Sequence, residues 1–226
     1  MSSAATRRFR KWFVRTFWAN HNDAPVIRQA IRDLLDDLAD GRGLHLGCGG
    51  VRLDSRLVNL DLKIGGAADV CGDAQKLPFR DGTFALVVSQ EMVEHLPDPF
   101  GAVREMARVL RKGGRVYLQA PFLIGYHPGP EDYWRFTRSG LVRLVEQAGM
   151  ECLRLDLAVG PATGFYRVIV EFAAGSAARL VPFFYIPAKA FFSILMYPLK
   201  WFDRILRGGA QADRIAGGYF VIAVKP

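Results

Sequence analysis

The sequence predicts an α/β fold, a doubly wound seven-stranded sheet with an apolar helical insert before the last strand. Three observations lead there. Strand-like and helix-like stretches alternate from Gly43 onward, which is the pattern of a sheet covered on both faces. Phe84–Gln90 (FALVVSQ) is a near-continuous apolar run, as expected of a strand with no solvent-facing side. The stretch LHLGCGG, Leu44–Gly50, then puts a glycine-rich turn at the end of the first strand, where such sheets bind ligands.

Taken in order, residues 7–18 (RRFRKWFVRTFW) place Phe9, Trp12, Phe13 and Phe17 near one face at helical spacing. Asp23 and Pro25 open a second helix, with Ile27, Ala30, Ile31, Leu34, Leu35 and Leu38 inward, stopped by Gly41 and Gly43. Strands are expected at Gly43–Cys48, Leu57–Leu62, Asp69–Asp73 and Phe84–Gln90. Asp98 and Pro99 start a helix with Phe100, Val103, Ala107 and Leu110 buried, ended by Gly113-Gly114, before a strand at Arg115–Ala120. Thr137 opens a helix halted at Gly149, and Cys152–Val159 and Tyr219–Val224 complete the sheet. The expected division is 1–40 for a basic amphipathic helix and a cap helix, 41–160 with 218–226 for the sheet domain, and 161–217 for the insert.

Length and composition narrow the class. The chain has 226 residues, enough for a full core without metal or disulfide staples. Three cysteines, Cys48, Cys71 and Cys152, show no CxxC spacing, which excludes a zinc ribbon and a disulfide framework. Arg15 interrupts what would be the apolar stretch of a signal peptide, and the expected location is cytoplasmic. The formal charge of +8 is concentrated at 1–20 and 161–217, both rich in aromatics. Basic residues beside Trp, Phe and Leu suit the headgroup region of an anionic membrane rather than nucleic acid. Leu180–Leu199 has the length of a membrane span, yet both ends of the insert return to one sheet, so a single crossing is impossible. A flap on one leaflet or a substrate lid remains.

The glycine turn limits the ligand. Gly47 and Gly49 let backbone N–H groups approach it closely. A dinucleotide fingerprint would need a third glycine where Arg52 stands, and a later acid than Asp61, which closes the second strand. This disfavours a nicotinamide-dependent epimerase or dehydrogenase. Asp61 is placed to accept both hydroxyls of a ribose, and Asp73, in GDAQKLPF, to meet an adenine amine. These features outline a nucleoside site without a diphosphate cradle.

LHLGCGG, NLDL (Asn59–Leu62), GDAQKLPFRDGTFALVVSQEMVEHL (Gly72–Leu96) and VLRKGGRVYLQAP (Val109–Pro121) occur in this order over roughly Leu44–Val159. Together they resemble the Rossmann-like class I S-adenosylmethionine-dependent methyltransferases of the UbiE-like, type 11 group. The resemblance implies S-adenosylmethionine as cofactor, with Gly47, Cys48 and Gly49 facing its methionine part and Asp61 and Leu62 its ribose. Asp73 and Ala74 would meet the adenine, and Gln90 would sit beside the sulfonium. Val51–Arg56 is too short for the usual first helix and is expected to form a loop. The tract HPGPEDYWRFT (His127–Thr137) is similar to members associated with cell-surface glycan pathways.

An alcohol acceptor needs a base to take its proton, and His127 first, His95 second, are the catalytic candidates at the carboxyl edge of the sheet. Glu131, Asp132 and Tyr126 are alternatives for orienting the acceptor. No metal is assigned. The alternative is Glu91-x-x-Glu94-His95 with His127, which resembles the divalent-metal site of certain methyltransferases acting on vicinal hydroxyls. The expected function is O-methylation of an amphiphilic or lipid-linked glycan acceptor by an enzyme peripheral to the inner face of the membrane, without nucleic acid. The alternatives are a small soluble acceptor with the insert as a lid, or a non-catalytic module that binds the cofactor.

Overall fold

The structure, a computed structural model, describes residues 4–18, 24–38, 41–63, 65–179 and 181–226; the expected cap at Asp23 and the first residue of the Leu180–Leu199 tract lie outside them. The chain divides into two compact units: residues 25–122, 126–158 and 218–226, and residues 1–24, 123–125 and 159–217.

The first unit is the sheet. Its strands are β1 (Gly43–Leu46), β2 (Leu57–Asp61), β3 (Val70–Cys71), β4 (Phe84–Gln90), β5 (Leu110–Pro121), β6 (Glu151–Val159) and β7 (Gly218–Val224), in the order β3-β2-β1-β4-β5-β7-β6. β1 pairs in parallel with β2 and β4, and β7 runs antiparallel to β5. Strand order reverses between β1 and β4, and their carboxyl ends open the crevice where such sheets take ligands. Leu44, Leu46, Leu86, Val87 and Val88 are fully buried at the centre, with Tyr117 stacked on Phe220 at 5.1 Å beside them.

Three helices belong to this unit. α2 (Pro25–Asp36) buries Ile27, Ala30, Ile31, Leu34 and Leu35, the apolar stripe of a 3.6-residue period. That stripe places α2 with the sheet, whereas the sequence division joined it to the first helix. α3 (Pro99–Val109) is capped by Asp98, which accepts from the Gly101 N–H at 2.8 Å, and α4 (Arg138–Glu146) by Thr137, which accepts from Gly140. α3 ends four residues before the expected Gly113-Gly114 stop. Leu110 already pairs with Phe84, the register shifts between Phe84 and Leu86, and Gly113 absorbs the irregularity at φ +72°.

The second unit is helical: α1 (Ala4–Phe13), a π-turn at Val14–Trp18, α5 (Pro161–Ala178), α6 (Tyr185–Leu195) and α7 (Asp203–Leu206), joined by 3₁₀ turns. Asp203 closes the start of α5, accepting from the Ala162 and Thr163 N–H groups at 2.7 and 3.1 Å and from the Thr163 hydroxyl. The Tyr166 hydroxyl donates to the carbonyls of Phe17 and Ser193 at 2.8 and 3.0 Å. This ties the N-terminal segment and α6 to α5. Among the described residues, no helix is long and apolar enough to cross a membrane.

Candidate active site

The turn after β1 is built on two left-handed glycines, Gly47 at φ +65° and Gly49 at φ +52°. A β-carbon on Gly47 would lie 2.5 Å from Met92 Cγ, whereas one on Gly49 would meet nothing within 4 Å. Packing therefore requires the first glycine, and the second faces open space. The Gly49 N–H donates to Asp61 Oδ2 at 2.8 Å, joining the turn to the end of β2.

No helix follows the turn; residues 51–54 are irregular, as the shortness of Val51–Arg56 predicts. Arg52 instead pairs through both terminal nitrogens with Asp69, which also accepts from the Asn59 backbone and side chain at 3.0 Å. Arg52 first, then Asn59, hold the Asp69 carboxyl well below the usual carboxylate range. Without a helix N-terminus here, the turn lacks the element that receives a diphosphate in dinucleotide sites.

A cavity of about 510 Å³ opens over the carboxyl ends of β1 to β4, within the size range of small-molecule sites. Gly47, Gly49, Asp61, Leu62, Asp73, Ala74 and His95 line it, together with Glu91. Cys48, Gln90, Glu94 and His127 are not among its lining residues. Cys48 is buried, and burial followed by the Asp61 charge pushes its thiol up, so only its backbone is offered to the turn. Gln90 is buried at the end of β4 with its amide nitrogen unpartnered. Asp73 accepts from the Gln75 N–H at 2.8 Å and remains exposed at the cavity edge.

Met92, Gly129, Pro130 and Tyr133 are among the other lining residues, and no periodicity or spacing singled them out. Gly129, Pro130 and Tyr133 arrive because the segment after β5 folds back on the loop after β4. The Tyr133 and Trp134 N–H groups donate to the Glu94 carbonyl at 2.9 and 3.2 Å, and Trp134 Nε1 donates to Leu96 O at 2.9 Å.

This return brings the two histidines together, their ring centroids 5.1 Å apart. His95 Nδ1 lies 2.6 Å from the Glu131 carbonyl, which can only accept, so Nδ1 carries a proton. His127 Nδ1 lies 3.3 Å from Asp132 Oδ2. Asp132 also accepts from the His127 N–H at 2.9 Å and from Arg135, whose hydrogen bonds hold its carboxyl well below the usual range. Both Nε2 atoms point towards Glu94 Oε1, at 3.7 and 3.9 Å. Glu94 is fully buried and neither carboxylate oxygen has a hydrogen-bond partner. One ligand atom from each of Glu94, His95 and His127 lies within 4.8 Å of the others, a grouping that could hold a metal ion. Glu91, at φ +50°, accepts from Gln119 Nε2 at 3.2 Å. Burial first, then the charge of Glu94, raise its carboxyl to about 7.

Comparison with known proteins identifies the family. A "Methyltransferase domain" family model matches residues 50–118. The ubiquinone biosynthesis O-methyltransferase of Aromatoleum aromaticum is 30% identical over 57% of this chain and 72% of its own length. The chain belongs to the class I S-adenosylmethionine-dependent methyltransferases, in the UbiE-like type 11 group. S-adenosylmethionine is its cofactor. The methyltransferase also shares its fold with the Haemonchus contortus phosphoethanolamine N-methyltransferase 2 solved with S-adenosyl-L-methionine, at 14% identity, TM-score 0.56 and coverage of 99% of this chain and 57% of that one. The [4+2]-cyclase SpnF has the same fold, at 19% identity and TM-score 0.54 over 93% of this chain and 86% of its own. The fold is thus compatible with more than one reaction, and the family match fixes the class. The residues present suit the cofactor. Open space lies at Gly49, the Asp61 and Asp73 carboxylates stand at the ends of β2 and β3, and no diphosphate cradle is built.

Proposed function

We propose that this methyltransferase methylates an oxygen of an amphiphilic, lipid-linked or glycan-bearing acceptor at the cytoplasmic face of a membrane. One observation carries the reading. The helical unit, residues 1–24, 123–125 and 159–217, holds twelve Lys and Arg against four Asp and Glu, while the rest of the chain holds eighteen of each. The same unit exposes Phe9, Trp12, Phe183, Phe191, Trp201 and Ile205, each more than half accessible. Exposed aromatics with an excess of positive charge fit an anionic lipid surface.

S-adenosylmethionine supplies, when bound, an electrophilic methyl group on a sulfonium that departs as a neutral thioether. The chain's own residues have two tasks. The backbone of Gly47–Gly49, Asp61 with Leu62, Asp73 with Ala74, and Gln90 hold and orient the cofactor, and alignment supplies most of the acceleration. His127, oriented by Asp132, takes the proton of the acceptor hydroxyl through Nε2, with His95 as the second candidate. Labelled-methyl transfer in a cell extract, split into lipid, glycan, protein and nucleic-acid fractions, tests the reading. Label in the lipid or glycan fraction is expected, and label confined to nucleic acid overturns it.

A second reading rests on Glu94, whose buried carboxylate lies 3.7 and 3.9 Å from the Nε2 atoms of His95 and His127. Glu94, His95 and His127 then hold a divalent cation that polarises the acceptor oxygen. Under it, a chelator abolishes transfer and Mg²⁺ or Mn²⁺ restores it; chelator-resistant turnover leaves the histidine base.

A further inference from the structure

We infer that the helical unit contains a binding site for one phosphate group, formed by the guanidinium of Arg167 and the ammonium of Lys200. Arg167 lies on α5 among buried Tyr166, Val170 and Ala174, and is only 7% exposed. Its Nε, Nη1 and Nη2 atoms are buried and none has a hydrogen-bond partner among the described residues. A guanidinium has five N–H donors and stays charged, and leaving it bare in an interior opposes folding.

Among the described residues, the acids of this unit are engaged elsewhere or exposed. Glu171, four residues on along α5, takes Lys189 and the Tyr185 hydroxyl. Asp203 takes the N–H groups at the start of the helix. Asp213 lies on an exposed turn, and Asp23 is outside the described residues.

The second cation adds to the imbalance. Lys200 Nζ sits 4.4 Å from the Tyr166 ring centroid and 5.4 Å from that of Tyr197, with long contacts of 3.4 and 3.5 Å to the Thr16 and Phe17 carbonyls. Burial and the nearby charge of Arg167 push its ammonium down to about 8. Two like charges near each other in a partly apolar setting, where the Asp203 carboxylate acts on Lys200 but is already engaged at the start of α5, are relieved by an anion. A phosphate matches both: its oxygens fit the guanidinium fork, and its second charge meets the ammonium. The Tyr166 and Tyr197 rings beside Lys200, with Phe17 against Tyr197, suit a phosphate borne by an amphiphile. In that respect the inference rests on the proposed function, although a free phosphate offers the same chemistry.

Thermal melts of the full chain in inorganic phosphate against chloride at equal ionic strength test the site. The wild type is expected to melt higher in phosphate. Arg167→Met is expected to melt at least about 2 °C above wild type in chloride, because a bare buried charge is gone, and to show no phosphate response. Lys200→Gln keeps the fold and requires about tenfold more phosphate for the same shift. Flotation with phosphatidylcholine vesicles, with or without phosphatidic acid, separates the sources. About tenfold weaker binding of Arg167→Met to phosphatidic acid vesicles assigns the phosphate to a lipid headgroup, and unchanged binding beside a lost phosphate response assigns it to a soluble one. No phosphate shift in the wild type, a full shift in Arg167→Met, or a lower chloride melt for that variant overturns the site. Failure of the wild type to float overturns the membrane reading instead and leaves the phosphate response to stand.

Discussion

Asp132 is nearly inaccessible, yet its carboxylate is met by Arg135 through two nitrogens and by the His127 N–H. Because its folded value is depressed, its contribution to stability is complete above the ordinary carboxylate range and is lost as pH falls from about 4 towards that depressed value. Asp132→Asn should therefore cost about 1–3 kcal/mol in urea melts at neutral pH, with the two proteins converging in acid. A constant gap down to low pH would contradict the pairing. Gly47→Ala combines a left-handed backbone with a β-carbon 2.5 Å from Met92 Cγ, and roughly 1–3 kcal/mol of destabilisation is expected from strain. Asp61→Ala removes the partner of the Gly49 N–H at the cavity wall. It should weaken S-adenosylhomocysteine binding by about tenfold or more in calorimetry, with the fold retained. Unchanged affinity would remove Asp61 from the proposed ribose contact.

At the level of elements, the caps were readable because they are local. Asp98 before Pro99 and Thr137 before α4 act within one turn. The end of α3 was not readable, since the competition between helix and strand at Leu110–Gly114 is decided by pairing with Phe84 and Lys225. The cap of α5 comes from Asp203, about forty residues away in sequence, so no spacing rule could find it. Asp203→Ala should cost about 1–2 kcal/mol in the stability of the helical unit, read by hydrogen exchange along α5. Gly160 supports this assignment: a β-carbon there would lie 2.4 Å from Asp203 Oδ1. Loss of protection spread evenly over the sheet would argue against it.

For the whole molecule, the division of charge sets the expectation. The sheet unit is neutral and the helical unit holds the entire excess of +8. Binding to anionic vesicles should weaken steeply with salt, since each Lys or Arg near the surface contributes about 1 kcal/mol and is screened within a Debye length. Deleting residues 1–18 should reduce flotation while leaving cofactor affinity unchanged. Equal flotation of the truncated and full chains, or binding insensitive to salt, would favour a soluble acceptor.

The order of strands and helices, the glycine turn and the two acids after β2 and β3 were determined by sequence alone, because periodicity, capping and backbone freedom act over a few residues. The same locality explains why the Rossmann-like resemblance could be read from motifs within Leu44–Val159. Only the tertiary structure decided that the segment after β5 returns over the loop after β4, bringing His127 beside His95 and Glu94 and adding Gly129, Pro130 and Tyr133 to the wall. It also decided that Arg167 is left without a partner while Glu171 and Asp203 are taken by others. The physical reason is the same in both cases: which charges meet in a folded chain depends on long-range packing, and composition counts charges without saying which are neighbours.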